Sequence, residues 1–396
     1  MSKPDASKAA SGSRRKPETE VVTAGRNPLA HHGAVNPPVY HVSTLIHPTM
    51  ESLEKRSQPY AYGRRGSPTS QALTDAITRL EGGAGSVLTP SGYSAVTLAL
   101  MSIAGSGDHV LVTDNVYGPT RQFCDKTFSR FGVETTFYDP TIGAGIAELM
   151  RPNTRAVFCE SPGSLTFEVQ DIPAIAKVAH ARGAIVIADN TWATPLLFDA
   201  FAHGVDITLH AATKYIVGHS DAMLGTVTAN AATWKQLRET HGNLGLCVGP
   251  DDIYLGQRGL RTLAVRLKRH QETALALARW LQGRKEVARV LYPALPDDPG
   301  HALWRRDFTG ASGLFCVVLN PVSHEAVAAM LDHMELFGMG WSWGGYESLI
   351  VPAHINRTAR PFHAEGPVLR IHTGLEAVDD LIADLQAGLE RLNKAS

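Results

Sequence analysis

Cysteine is scarce in this 396-residue chain. Its four cysteines, Cys124, Cys159, Cys247 and Cys316, lie far apart and form no C-x-x-C pair. That argues against a disulfide framework or a zinc ribbon and for free thiols in a reducing compartment. Net charge is lacking too: 37 basic side chains against 38 acidic ones leave −1, so the balance draws the chain to neither nucleic acid nor an anionic membrane. No long apolar run is present. The most apolar long window, residues 86–105, is interrupted by Thr89, Pro90, Ser91 and Gly92 and cannot span a bilayer as a helix. Residues 1–20, MSKPDASKAASGSRRKPETE, have no apolar signal-peptide core and read as a disordered tail, which leaves a cytoplasmic protein as the expectation. Local motifs fail as well. GSGDHV precedes a strand and lacks a third glycine, no phosphate-binding G-x-x-x-x-G-K-[ST] occurs, and Ala328 stands where a zinc helix starting at His324 needs histidine. GYSAV puts Tyr93 after the glycine and does not form a G-x-S-x-G elbow.

What the sequence does have is alternation. SVLT (86–89), HVLVT (109–113), TRAVFCES (154–161), AIVIADN (184–190) and DITLHA (206–211) are short apolar runs that read as strands buried on both faces. Helical patterns separate them, and two of these end on glycine. Strict alternation predicts an α/β fold with a mostly parallel sheet and right-handed crossovers. From about residue 257 one long helical pattern begins, and GLFCVVL and VLRIHTG then mix with helices. The division expected is an α/β domain over 67–256 and a smaller α+β domain over 257–396.

Ligands of an open parallel sheet bind beyond the carboxyl ends of its strands. Tyr117 follows HVLVT, Asp189 ends AIVIAD, Lys214 follows DITLHAAT, and TPSGYSA joins a strand to a helix. Each has an ordinary structural reading: a packed turn aromatic, a helix cap, a solvated loop lysine, a plain helix start. Together they place an aromatic plate, a carboxylate, an amine and an anion cradle on one sheet edge. That is the set pyridoxal 5'-phosphate requires. No comparable metal-ligand spacing appears.

The same segments carry a family resemblance. AIVIADNTWATP followed by HAATKYIVGHSDAMLGT resembles the pyridoxal-phosphate-dependent enzymes of cysteine and methionine metabolism. YGRRGSPT, CESPGSLTFEVQDIPAIA, RRDFTGASGLF, SWGGYESLI and LRIHTGLEAVDDLIADL look most like its cystathionine β-lyase branch. The resemblance runs from about residue 23 to 392. It implies the aspartate-aminotransferase-like fold (fold type I), an arm over 21–66 reaching a neighbouring subunit, and a homotetramer built from dimers with shared active sites.

Position by position, the resemblance implies that Lys214 holds the cofactor covalently and serves as general base, that Asp189 pairs with the pyridine nitrogen, and that Tyr117 stacks on the ring and acts in catalysis. Gly92, Tyr93 and Thr213 match phosphate ligands, with Tyr62 and Arg64 completing the neighbour's phosphate site. Arg370 matches the grip on the substrate carboxylate, with Ser342, Trp343 and Tyr117 beside the substrate. Ala211 replaces a serine frequent in relatives and removes one phosphate hydrogen bond, while Tyr93 replaces a methionine common in γ-lyases and synthases. Trp343, in SWGG, fits β-lyases better than the SLGG of many γ-eliminating relatives. The implied reaction is β-elimination of L-cystathionine or a related cysteine thioether. Cystathionine γ-lyase, methionine γ-lyase and O-acyl-homoserine sulfhydrylase chemistry are the alternatives, and a non-enzymatic cofactor-fold protein is a further one.

Overall fold

The computed structural model describes residues 15–396. Residues 1–14 of the expected tail lie outside them, but residues 17–20 already belong to a helix, Pro17–Thr23. Proline at its start and Glu18 and Glu20 in its first turn suit a helix N-terminus. Val21 and Ala24 are buried in an apolar cluster with Leu73, Ile77 and Leu263, and Glu20 pairs with Arg79 at 2.6 Å. The tail expected through residue 20 is therefore corrected: its last four residues begin a helix held to the core through Glu20, Val21 and Ala24.

Seven strands form the large sheet: β1 (Gly85–Thr89), β2 (His109–Thr113), β3 (Glu134–Tyr138), β4 (Thr154–Glu160), β5 (Ile185–Asp189), β6 (Ile207–His210) and β7 (Gly225–Ala229). Their order is β1-β7-β6-β5-β4-β2-β3, and every pairing is parallel except those of β7 with β1 and β6. The α/β, mostly parallel sheet expected from the alternation is present. Two strands escaped the sequence reading. β3 is an edge strand with an exposed or half-exposed surface over residues 134–137, so it shows no continuous apolar run. β7, GTVTA, is buried throughout but rich in threonine, so its burial is not written as hydrophobicity.

Four antiparallel strands follow, β8 (Val287–Leu291), β9 (Leu314–Leu319), β10 (Leu349–Pro352) and β11 (Val368–His372), ordered β10-β11-β9-β8. The long helical pattern near 257 is two helices, Pro250–Leu260 and Leu263–Gln282. Arg261 in the break donates to Val21 O and Ala24 O, both at 2.8 Å. Gly259 lies so close to the 216–217 backbone that a Cβ there would meet Val217 O at 2.1 Å. The chain turns because those contacts fix it, and residue 257 lies inside the first helix. One apolar cluster includes Val157 and Ala188 of the large sheet with Leu277, Phe315 and Ile371 of the smaller unit. All four cysteines are free. Among the described residues no helix is long and apolar enough to cross a membrane.

Candidate active site

β1 ends where the helix Gly92–Ile103 begins. Ser91 caps it, accepting from Ser94 N at 3.1 Å. A Cβ on Gly92 would lie 2.3 Å from the Ala211 Cβ, so only glycine lets the helix start close on the segment leading to Lys214. Amides in a first helical turn lack intrahelical acceptors, and those of Gly92 and Tyr93 are available to an anion. The Tyr93 side chain is exposed. Thr213 reaches Leu224 instead: its hydroxyl accepts from Leu224 N at 2.9 Å and donates to Leu224 O at 3.1 Å.

Asp189 closes β5. Its Oδ1 accepts from Thr191 N at 3.0 Å and from the Thr191 hydroxyl at 2.5 Å, and that hydroxyl accepts from Ala211 N at 2.9 Å. Thr191 thereby ties the ends of β5 and β6 together and sets Asp189 relative to the lysine segment. Asp189 Oδ2 has no hydrogen-bond partner among the described residues. Burial raises the Asp189 pKa, against the two Thr191 bonds and the nearby His210 and Lys214.

Lys214 Nζ donates to Ser342 Oγ at 2.6 Å and lies 5.3 Å from the centre of the Trp343 ring. Burial first and Arg370 second lower its pKa to about 8, with Asp189 opposing. The Ser342–Gly345 turn is shaped for this contact. Ser342 has φ +121° and Gly344 φ +88°, and a Cβ on Gly344 would meet the Lys214 backbone at 2.9 Å. His372 braces the turn by accepting from Gly344 N at 3.1 Å. Arg370, two residues earlier on β11, donates to Ser342 O at 3.0 Å and Gly340 O at 3.4 Å. Among the described residues it has no carboxylate partner, so its charge is available to a ligand. Tyr117 precedes the helix Gly118–Gln122 and donates its backbone N–H to Glu160 Oε2 at 2.8 Å. Its hydroxyl pKa is raised, by burial first and then by Glu160 and Asp189.

The fold thus gathers Lys214, Asp189, Tyr117, Ser342, Trp343 and Arg370, with the Gly92 helix start against the same loop. Tyr62 and Arg64 are not among them. Tyr62 OH accepts from Ser43 Oγ at 3.5 Å, and Arg64 Nη1 donates to Gly242 O at 3.5 Å. Arg64 lines a separate cleft of about 760 Å³ with Tyr40, Arg65, Arg238 and His241. Thr191, Glu160, His372 and the buried Glu81–His210 pair went unnoticed in the sequence. Glu160 and His210 carry the signal that marked Asp189, a polar residue at a strand's carboxyl end.

A protein-family model described as Cys/Met metabolism PLP-dependent enzyme matches residues 18–390. The chain belongs to that family. Cystathionine β-lyase MetC of Escherichia coli is 47% identical over 391 residues, covering 96% of this chain and 99% of the relative. An L-alanine/L-glutamate racemase of Wolbachia pipientis is 42% identical over 395 residues, covering 95% and 98%. The crystal structure of cystathionine γ-synthase from Xanthomonas oryzae in complex with aminoacrylate and cysteine superposes with a TM-score of 0.89 at 32% identity, covering 96% of this chain and 100% of that one. The fold is accordingly the family's fold type I, and the cofactor is pyridoxal 5'-phosphate. The residues present fit that group: an amine whose pKa is near 8, a carboxylate with one open oxygen, and a helix start that a Cβ would wedge away from the lysine segment.

Proposed function

We propose that this member of the family is a carbon–sulfur lyase that eliminates the thiol from Cβ of L-cystathionine, yielding homocysteine, pyruvate and ammonia. The observation that carries the reading is the Lys214 amine, held by Ser342 at 2.6 Å beside the Arg370 guanidinium, which has no carboxylate partner among the described residues. Bound at Lys214, pyridoxal phosphate supplies an electron sink for the bond broken at Cα. Asp189 would hold the pyridine nitrogen with its open oxygen, Tyr117 would pack on the ring, and Gly92, Tyr93 and Thr213 would hold the phosphate. Arg370 binds the substrate carboxylate as a planar two-pronged donor, with Ser342 and Trp343 flanking it. When the substrate's amine takes the place of Lys214 on the cofactor, the freed Lys214 amine would take the α-proton as general base, and the thiolate would depart from Cβ with the electron pair of the C–S bond.

The wider reading rests on the arm. Leu29, Val35, Ile46, Met50 and Leu53 are exposed, which suits a segment covered by a second copy. On that reading Tyr62 and Arg64 complete the neighbour's phosphate site, within a homotetramer of two such dimers. The division into arm (21–66), cofactor domain (67–256) and smaller domain (257–396) and a cytoplasmic location belong to the same reading, and four free cysteines suit a reducing compartment. Racemisation, the activity in the name of the Wolbachia relative, also needs the α-proton removed but leaves the C–S bond intact. Thiol release therefore separates the two.

Borohydride treatment of the holoenzyme tests the site. The expected result is loss of the visible cofactor band, with the cofactor fixed by mass spectrometry to the peptide containing Lys214, and no fixation in Lys214→Ala. Fixation at another lysine contradicts the assignment.

A further inference from the structure

Two carboxylates meet at the ends of adjacent parallel strands. Glu160 closes β4 and stands in register with Asp189, which closes β5. Side by side and half-buried, both cannot cheaply carry charge. Their surroundings differ. Asp189 takes two bonds from Thr191 and has His210 and Lys214 near enough to favour its anion. Glu160 has no Lys, Arg or His in ion-pair contact among the described residues. Arg357 is engaged by Glu168 at 2.7 Å, while the field of Arg370 acts on Tyr117 and Lys214. Among the described residues Asp189 opposes the Glu160 charge, while the backbone amides of Tyr117 and Ser164 favour it. Glu160 Oε2 accepts from the Tyr117 backbone N–H at 2.8 Å.

We propose that Glu160 is a positioning residue that works in its protonated, uncharged form, holding Tyr117 through the backbone N–H and leaving Asp189 to carry the charge of the pair. One carboxyl oxygen accepts from Tyr117 while the other keeps the proton, so Glu160 fixes the aromatic plate without competing with Asp189 for positive charge. Burial first and Asp189 second push the Glu160 pKa well above the usual carboxylate range, against the Tyr117 and Ser164 amides, in keeping with that form.

The proposal rests on the cofactor reading above, and its test separates the two. In the holoenzyme, the pH at which the visible cofactor absorbance is half-changed reports the charge around Lys214. Glu160→Gln, which keeps the shape and the acceptor, leaves that midpoint within about 0.3 unit if Glu160 is already neutral. A fall of about one unit, a tenfold loss of proton affinity, means that an anion was removed and overturns the proposal. A wild-type protein with no such band refutes the cofactor reading instead. Hydrogen exchange at the Tyr117 amide tests the positioning half with or without a band. It is protected in the wild type and in Glu160→Gln, and Glu160→Met, which has no oxygen acceptor, exchanges it about tenfold faster or more. An amide already unprotected in the wild type, or unchanged in Glu160→Met, overturns that half. Should Glu160→Met fail to fold, the wild-type protection and the Glu160→Gln midpoint still decide.

Discussion

At the scale of single residues, the site consists of groups whose ordinary charge is disturbed by their place. Lys214 is the clearest, since burial and Arg370 bring its pKa to about 8. Below that value the amine is mostly protonated and unreactive toward an aldehyde, and above it mostly free. The cofactor-free chain should therefore capture pyridoxal phosphate at a rate that rises about tenfold per pH unit below 8 and levels off above it. Stopped-flow absorbance at fixed cofactor concentration measures this, and a rise continuing unbroken toward pH 10 contradicts the shift. The sign for stability runs with it. The unfolded lysine titrates near its ordinary 10.5, so between about 8 and 10.5 the unfolded chain binds more protons and this group's contribution to stability increases with pH. Lys214, Asp189 and Tyr117 were legible because each follows an apolar run, where a polar residue is conspicuous. Glu160 carries the same mark at the end of β4, but its role, like that of Thr191, depends on what stands across the strand register, which the local sequence does not reveal.

Between elements, the decisive contact joins the start of the helix Gly92–Ile103 to the segment after β6. Gly92→Ala places a methyl 2.3 Å from Ala211 Cβ, and relieving it means moving either the helix or the lysine segment. The expected outcome is a loss of about 1 to 3 kcal/mol of stability, with weakened binding of pyridoxal phosphate and little change for pyridoxal, which has no phosphate to lose. Thermal unfolding and equilibrium dialysis of both compounds check it. Equal weakening for both places the damage elsewhere than the phosphate cradle. The core parallel strands were readable in advance because burial on both faces leaves continuous apolar runs. β3 and β7 broke that rule, one through exposure at the edge and one through buried threonines. The helix break at Arg261 was invisible because it depends on carbonyls of residues 21 and 24, far away in sequence.

On the scale of the whole molecule, the exposed arm and the placement of Tyr62 and Arg64 away from Lys214 argue for sites completed between chains. Chains carrying Lys214→Ala and chains carrying Arg64→Ala should each be poor enzymes. After mixing, unfolding and reassembly, hybrid dimers have one site with both lesions and one with neither, so random pairing restores roughly a quarter of the sites. Activity no higher than the parents' average after demonstrated subunit exchange would place Arg64 in its own chain's site. The proposed assembly comes from the family resemblance, because one chain's sequence carries no mark of a neighbour beyond the exposed apolar residues of the arm.

The central claim is where the bond breaks. Incubating the holoenzyme with L-cystathionine and identifying the keto acid and the thiol tests it most directly. β-Elimination predicts pyruvate and homocysteine in equal amounts, while 2-oxobutyrate with cysteine, or racemised substrate with no thiol released, would contradict it.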